Sequence, residues 1–314
     1  MLRPEKKGFT LVELLVVMSI VGILAAALIT QVTNARRMAS DAKCKANLGN
    51  LAKAAMSYSV DKEYLPWAGS HEWAWPEKVG GKYQLLYHER PGWVGWTGQG
   101  KWNNETQQGG GMKTACFFGS SDKDKTPYLS ITNGTLWGYA GRDLSAYVCD
   151  VHVSAARTAG LRGVLRSYAM NGYFGYANLG KGKLPEMDRW IRLDSVTSRG
   201  SAGNLLLFAE LPAYKGNHTA GIVSSEYAAD GVLETNIRKN DDPVSTDYYK
   251  NTAIEAIGFN HKIGKRNVAH VVFTDGHVDV LMEPTGAPDA DLKKLTQELC
   301  NGDEIDQTLR AKMH

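Results

Sequence analysis

From Phe9 to Thr30 the chain reads FTLVELLVVMSIVGILAAALIT, an apolar run broken by a single charge, Glu13. About 20 such residues are enough to cross a bilayer as one helix. The remaining sequence reads as cargo on this segment. A carboxylate at membrane depth costs about 2.5–3.5 kcal/mol at a helix centre on insertion scales, so Glu13 marks a functional position. Ahead of the run lies MLRPEKKG, in which Arg3, Lys6 and Lys7 outweigh Glu5. Cations there hold the leader in the cytoplasm and send the chain beyond Thr30 across the membrane.

An ordinary secretory signal has a charged start, a shorter apolar stretch and a small-residue cleavage site. Ala25-Ala26-Ala27 could supply the site, but the run is long and Glu13 would be a flaw in it. A plain membrane anchor explains the length and leaves Glu13 as an uncompensated cost.

A third reading uses every residue. Gly8-Phe9-Thr10-Leu11-Val12-Glu13 resembles the prepilin processing motif of type IV pilins and type II secretion pseudopilins. The resemblance implies cleavage by a prepilin peptidase between Gly8 and Phe9, methylation of Phe9, and Glu13 as the fifth residue of the mature chain. A freed amine on Phe9 is cationic, and a charge in an apolar medium is tolerated when paired. In the family, the pair joins neighbouring subunits and sets register during filament assembly. Pairing of Glu13 with its own amine is the local alternative.

Net charge is +3, falling to about +1 once the leader is removed, which is no electrostatic footprint for nucleic acid. Eight Trp, fourteen Tyr and thirty-three Gly point to a loop-rich, partly β extracytoplasmic domain. Cys44, Cys116, Cys149 and Cys300 contain no C-x-x-C pair. Disulfides are expected beyond an oxidising membrane face, but the sequence cannot choose among the pairings of four cysteines.

No proline interrupts the stretch between Pro4 and Pro66. Beyond the membrane run, Val32, Ala39, Ala42, Ala46, Leu48, Leu51 and Ala55 recur at three- and four-residue steps among charges, the signature of a helix lying on something. A helix from Phe9 to about Val60 would be roughly 75–80 Å long. The alternative is two helices broken near Thr30–Asn34. From Trp67 to Trp102, Trp73, Trp75, Trp93 and Trp96 crowd among glycines. Such aromatics either pack over the helix, the favoured reading, or stack on a glycan or a partner surface. The run 204–210, ending in Glu210, reads as a strand buried on both faces. Residues 212–252 read as a surface insertion.

Asn267 to Met282 reads NVAHVVFTDGHVDVLM, with Asp275-Gly276 as a two-residue hairpin turn. Folding about it places Thr274 opposite His277 and Phe273 opposite Val278, with Ala269, Val271, Phe273, Val278, Val280 and Met282 on one apolar face. Asn260-His261, Gly264, Asn267 and Phe273-Thr274-Asp275-Gly276-His277-Val278 resemble the C-terminal H-x9-DG element of many bacterial pilin-like proteins. The spacing departs from that pattern, since thirteen residues separate His261 from Asp275. Tyr-x-Cys149, Ser167-Tyr-x-x-Asn171, the apolar run into Glu210, and Cys44-Lys-Ala-Asn47-Leu48 resemble the same family. His261, Asn267, Asp275 and Gly276 are expected to be structural. A last helix is expected over Asp289–Cys300, followed by a fraying polar tail.

The predicted register puts His270, His277 and Asp279 on one face, a set that could hold a divalent metal. Hairpin Asp and His usually form the turn and face solvent, so no metal is expected, and no other cofactor is implied. Hydrolase, metalloprotease, phosphate-loop and dinucleotide motifs are missing from the sequence, which reads as a non-enzyme. Glu210 and His261 could form a buried polar contact, which would serve structure as readily as chemistry.

The expectation is an α+β pilin-like fold: a leader (1–8), a membrane or filament-core helix (9–30), an amphipathic spine (31–62), a mainly antiparallel β-sheet head (63–302) and a tail (303–314). It would be a pilin or pseudopilin, single-pass in the inner membrane with its N-terminus cytoplasmic and its head outside. Assembly would carry it to the cell surface or periplasm. Its partners would be prepilin peptidase and other subunits. The alternative is a signal-anchored surface protein whose Trp-rich loops hold glycan and which forms no filament.

Overall fold

The computed structural model describes residues 10–68, 71–79, 82–90, 92–94, 129–132, 134–158, 166–174, 191–197, 203–213, 232–233, 256–286, 289–302 and 304–313. The elements are helix α1 (Leu11–Lys62), strands β1 (His71–Val79) and β2 (Lys82–Arg90), and short helices α2 (Leu129–Thr132) and α3 (Asp150–Thr158). They continue with β3 (Tyr168–Asn171), α4 (Leu193–Thr197), β4 (Leu206–Glu210), β5 (Val232–Leu233), β6 (His261–Ile263), β7 (Arg266–Phe273), β8 (Val278–Met282), α5 (Asp289–Asn301) and α6 (Gln307–Lys312). This is an α+β architecture with a long N-terminal helix. The chain divides into two compact units, Met1–Ala42 and Lys43–His314.

In the first unit the helix has no break at 30–34. Its apolar side chains from Leu11 to Ile29 are 48% to 79% exposed, on every face. Two hydroxyls are satisfied within the helix: Ser19 Oγ donates to the Val16 carbonyl at 2.7 Å and Thr33 Oγ1 to that of Ile29 at 2.9 Å. Internal satisfaction of polar groups is what a hydrocarbon surrounding demands.

In the second unit Cys44, Leu48, Leu51, Ala55 and Tyr58 are buried at alternating four- and three-residue steps. The buried stripe starts at Cys44. Ala39, Ala42 and Ala46, assigned to it from spacing, are exposed. Alanine favours helix on any face, so it reports helicity better than burial. The helix stops without glycine: Glu63 takes the left-handed conformation, with φ 67°.

A six-stranded, mainly antiparallel sheet runs in the order β5-β3-β4-β7-β6, with β8 also on β7. Only the β3–β5 pair is parallel among these pairings. One face, carrying Tyr168, Met170, Phe208 and Val272, packs with Leu48 and Leu51 of α1. The other, carrying Ala169, Ala209, Ala269, Val271 and Leu281, packs with Leu295, Leu299, Leu309 and Met313. The expected C-terminal helix is present as α5. The tail does not fray: α6 forms behind an Asp306 cap, and Leu309 and Met313 enter the core.

The β7–β8 hairpin forms one residue out of the expected register. Val272 pairs with Val278, Val271 with Asp279 and His270 with Val280. Gly276 N–H donates to Phe273 O at 2.9 Å and Phe273 N–H to His277 O at 3.0 Å. Gly276 has φ 88°. Asp275 and Gly276 are therefore the end of a type I turn and its glycine bulge, rather than the centre of a two-residue loop. The longer loop moves His270 to the opposite face from His277 and Asp279, which separates the metal set read from the sequence.

Trp67 and Trp93 are buried, as the packing reading expected. Trp93 stacks on Tyr147 at 5.8 Å and meets Phe208 edge-on at 5.0 Å, so it offers no face to a glycan. Trp73 and Trp75 lie on β1, which pairs antiparallel with β2. Trp96, Trp102 and Cys116 fall outside the described residues, as does most of 212–252.

Candidate functional site

Gly8 and Phe9, the expected cleavage point, lie outside the described residues. Glu13 sits in the first turn of α1. Its Oε2 accepts from Thr10 N–H at 2.9 Å and from Thr10 Oγ1 at 2.7 Å, while Glu13 N–H donates to Thr10 Oγ1 at 3.2 Å. This reciprocal capping box is written in the sequence as Thr-x-x-Glu, a signal the motif reading passed over. With Thr10 as the cap, it starts the helix at Leu11 and holds the carboxylate at the helix N-terminus.

The second group lies under α1 on the inner sheet face. Apolar strand sequence carries Glu210 to the end of β4, β6 supplies His261 at its first residue, and β7 supplies His270. All three are buried. Glu210 Oε1 lies 2.9 Å from His261 Nε2 and 3.4 Å from His270 Nδ1. Burial pushes the Glu210 carboxyl up, and the hydrogen bonds from the two histidines override this and hold it below the ordinary carboxylate value. The Glu210–His261 contact that the sequence left possible is present.

His261 Nε2 also approaches Cys149 Sγ at 3.2 Å. Cys149 forms a disulfide with Cys44, Cα–Cα 5.3 Å, joining α1 to the start of α3. The sequence left the pairing open, and the structure resolves it for these two. Cys300 is buried. Asn47, one turn beyond Cys44, donates to the carbonyls of Ser145 and Val148 at 2.9 Å each. Lys43 pairs with Asp150 at 2.9 Å.

Asn267, Asp275 and Gly276 do not join this group. Asn267 Nδ2 donates to Glu283 Oε2 at 2.7 Å, bridging the ends of the β7–β8 hairpin. Asp275 is exposed in the turn, its Oδ1 accepting from His277 N–H at 3.0 Å and lying 2.5 Å from His277 Nδ1. The residues of the C-terminal element thus have two separate jobs, a buried His and an exposed turn.

Two further buried polar residues gave no sequence signal. His152 Nδ1 lies 2.9 Å from Ser167 Oγ, which accepts from Cys149 N–H at 2.9 Å. Burial pushes the His152 imidazole down to about 4. Arg166 donates to the Tyr168 carbonyl at 3.0 Å and lies over Trp93, 5.5 Å from the ring centre.

A long apolar N-terminal helix followed in sequence by a mainly antiparallel β-sheet is consistent with an α+β pilin-like fold. The family match falls on the leader and the first part of this helix. Residues 3–29 match the family described as the prokaryotic N-terminal methylation motif. The chain is 46% identical over 55 residues to the type IV wide pilus major component PilA4 of Thermus thermophilus, a match covering 18% of this chain and 42% of that protein. No solved structure matches the chain. The chain is thus similar to type IV pilins over a short part of its length, and it spans less than half of the relative it matches.

Proposed function

We propose that the chain is a filament subunit, a pilin or pseudopilin. In this reading it enters the inner membrane with the leader cytoplasmic, is cut after Gly8 by a prepilin peptidase, methylated at Phe9, and assembled through the first part of α1. The observation that carries the reading is that Leu11 to Ile29 is apolar and exposed on all faces, with one carboxylate at its start. Such a surface needs lipid before assembly and sister helices after it. Glu13 then exchanges its Thr10 contacts for the Phe9 ammonium of a neighbouring subunit, a pairing that lowers the cost of both charges. The role is structural, with no catalytic step assigned to the chain.

Substitution separates processing from assembly. Gly8→Ala should leave the leader attached, seen as an unshortened chain in membranes. Glu13→Ala should be shortened normally and be missing from sheared filament fractions. Normal filament incorporation of both variants would contradict the proposal.

A further inference from the structure

The buried cysteine pair sits beside two groups that a structural disulfide does not need. Cys44 Sγ, Cys149 Sγ, a Glu210 carboxylate oxygen and a His261 ring nitrogen all lie within 4.8 Å of one another, and all four residues are buried. Glu210 Oε2 is buried with no hydrogen-bond partner among the described residues. An acceptor with two oxygens and one partnered oxygen is an unusual thing to leave in a core. The geometry points to a second state of this cluster, in which the reduced Cys44 and Cys149, with His261 and Glu210, form a four-coordinate site for a thiophilic divalent cation of the zinc class.

Two thiolates, an imidazole and a carboxylate are the donor types zinc takes, and four protein ligands make a closed structural site. Bond lengths of about 2.0–2.3 Å place tetrahedral ligand atoms about 3.3–3.8 Å apart, so only small side-chain movements separate this cluster from that geometry. His270, 3.4 Å from Glu210 Oε1, is placed to orient the carboxylate from behind. The ligands come from α1, the start of α3, β4 and β6, so the cation would join the same elements as the disulfide. Binding displaces the two thiol protons. Oxidation reverses it: the two thiolates pass two electrons to a disulfide oxidant, which takes up two protons and leaves as dithiol. The Cys44–Cys149 bond forms and the cation departs.

The test uses the full-length chain in detergent, with Cys116→Ser and Cys300→Ser as background, reduced by a phosphine without oxygen. Titration with Co2+ should give one ion per chain, with tetrahedral cobalt bands and a thiolate-to-cobalt charge-transfer band. The oxidised chain should show neither. His261→Gln and Glu210→Gln should each weaken binding by more than about tenfold, since losing even an outer-shell partner of a ligand costs that much. Zn2+ should raise the melting temperature of the reduced chain, since it binds the folded form. No cobalt spectrum, unchanged affinity in both ligand variants, or no melting shift with Zn2+ would overturn the site. These readouts do not depend on filament assembly.

Discussion

Leu11–Ile29 and Cys44–Tyr58 lie on one helix, and both stretches are rich in apolar residues, yet they solve the burial problem differently. The first is apolar all round, exposed, and self-sufficient in hydrogen bonds. The second is apolar along a stripe, covered by the sheet, and fixed by Asn47, Lys43 and the Cys44–Cys149 bond. One stretch needs something outside its own chain and the other does not. Helix formation alone therefore tells little about where a helix goes, and the distribution of apolar residues around it tells more.

That contrast can be broken by substitution. The largest effect is expected at the disulfide, which closes 105 residues of sequence separation. Reduction in the presence of a chelator should cost about 4.7 kcal/mol by the chain-entropy argument, read as a lower denaturation midpoint followed by tryptophan fluorescence. Leu51→Ala should cost the head about 3.5 kcal/mol, whereas Leu24→Ala should leave head stability unchanged in detergent. Equal losses from the two would erase the distinction between the stretches.

His152 sharpens it with pH. Its ordinary value is 6.5 and its folded value about 4, lowered by burial against the attraction of Glu210 and with Arg166 and His261 adding to the lowering. The unfolded chain therefore binds a proton that the folded chain refuses as pH falls from 6.5 to 4. Stability should drop by about 3 kcal/mol across that window, and His152→Gln should flatten this part of the profile. The smallest effect is expected at the helix end. Glu63→Gly should stabilise the head by up to about 1 kcal/mol, because Glu63 occupies a left-handed conformation that glycine adopts freely.

Much of this was legible in the residues. The continuous helix followed from an apolar run and a proline-free stretch, and the apolar run ending in Glu210 marked the buried strand β4. The helix expected over Asp289–Cys300 is α5. The hairpin was legible but its register was not, because Asp-Gly serves both a two-residue turn and a type I turn with a glycine bulge. The pairing of Cys44 with Cys149 needs the approach of α1 and α3, which no local pattern encodes. His152 and Arg166 are polar residues whose burial depends on partners distant in sequence. Helix α6 was missed because only Leu309 and Met313 anchor a segment that otherwise reads as polar.

The most direct test of the central proposal is the intact mass of the chain recovered from the membranes of its own cells. The expected result is a chain beginning at Phe9 and carrying one added methyl group on its terminal amine. A chain that keeps Met1, or one cut inside the apolar run near Leu28, would contradict it.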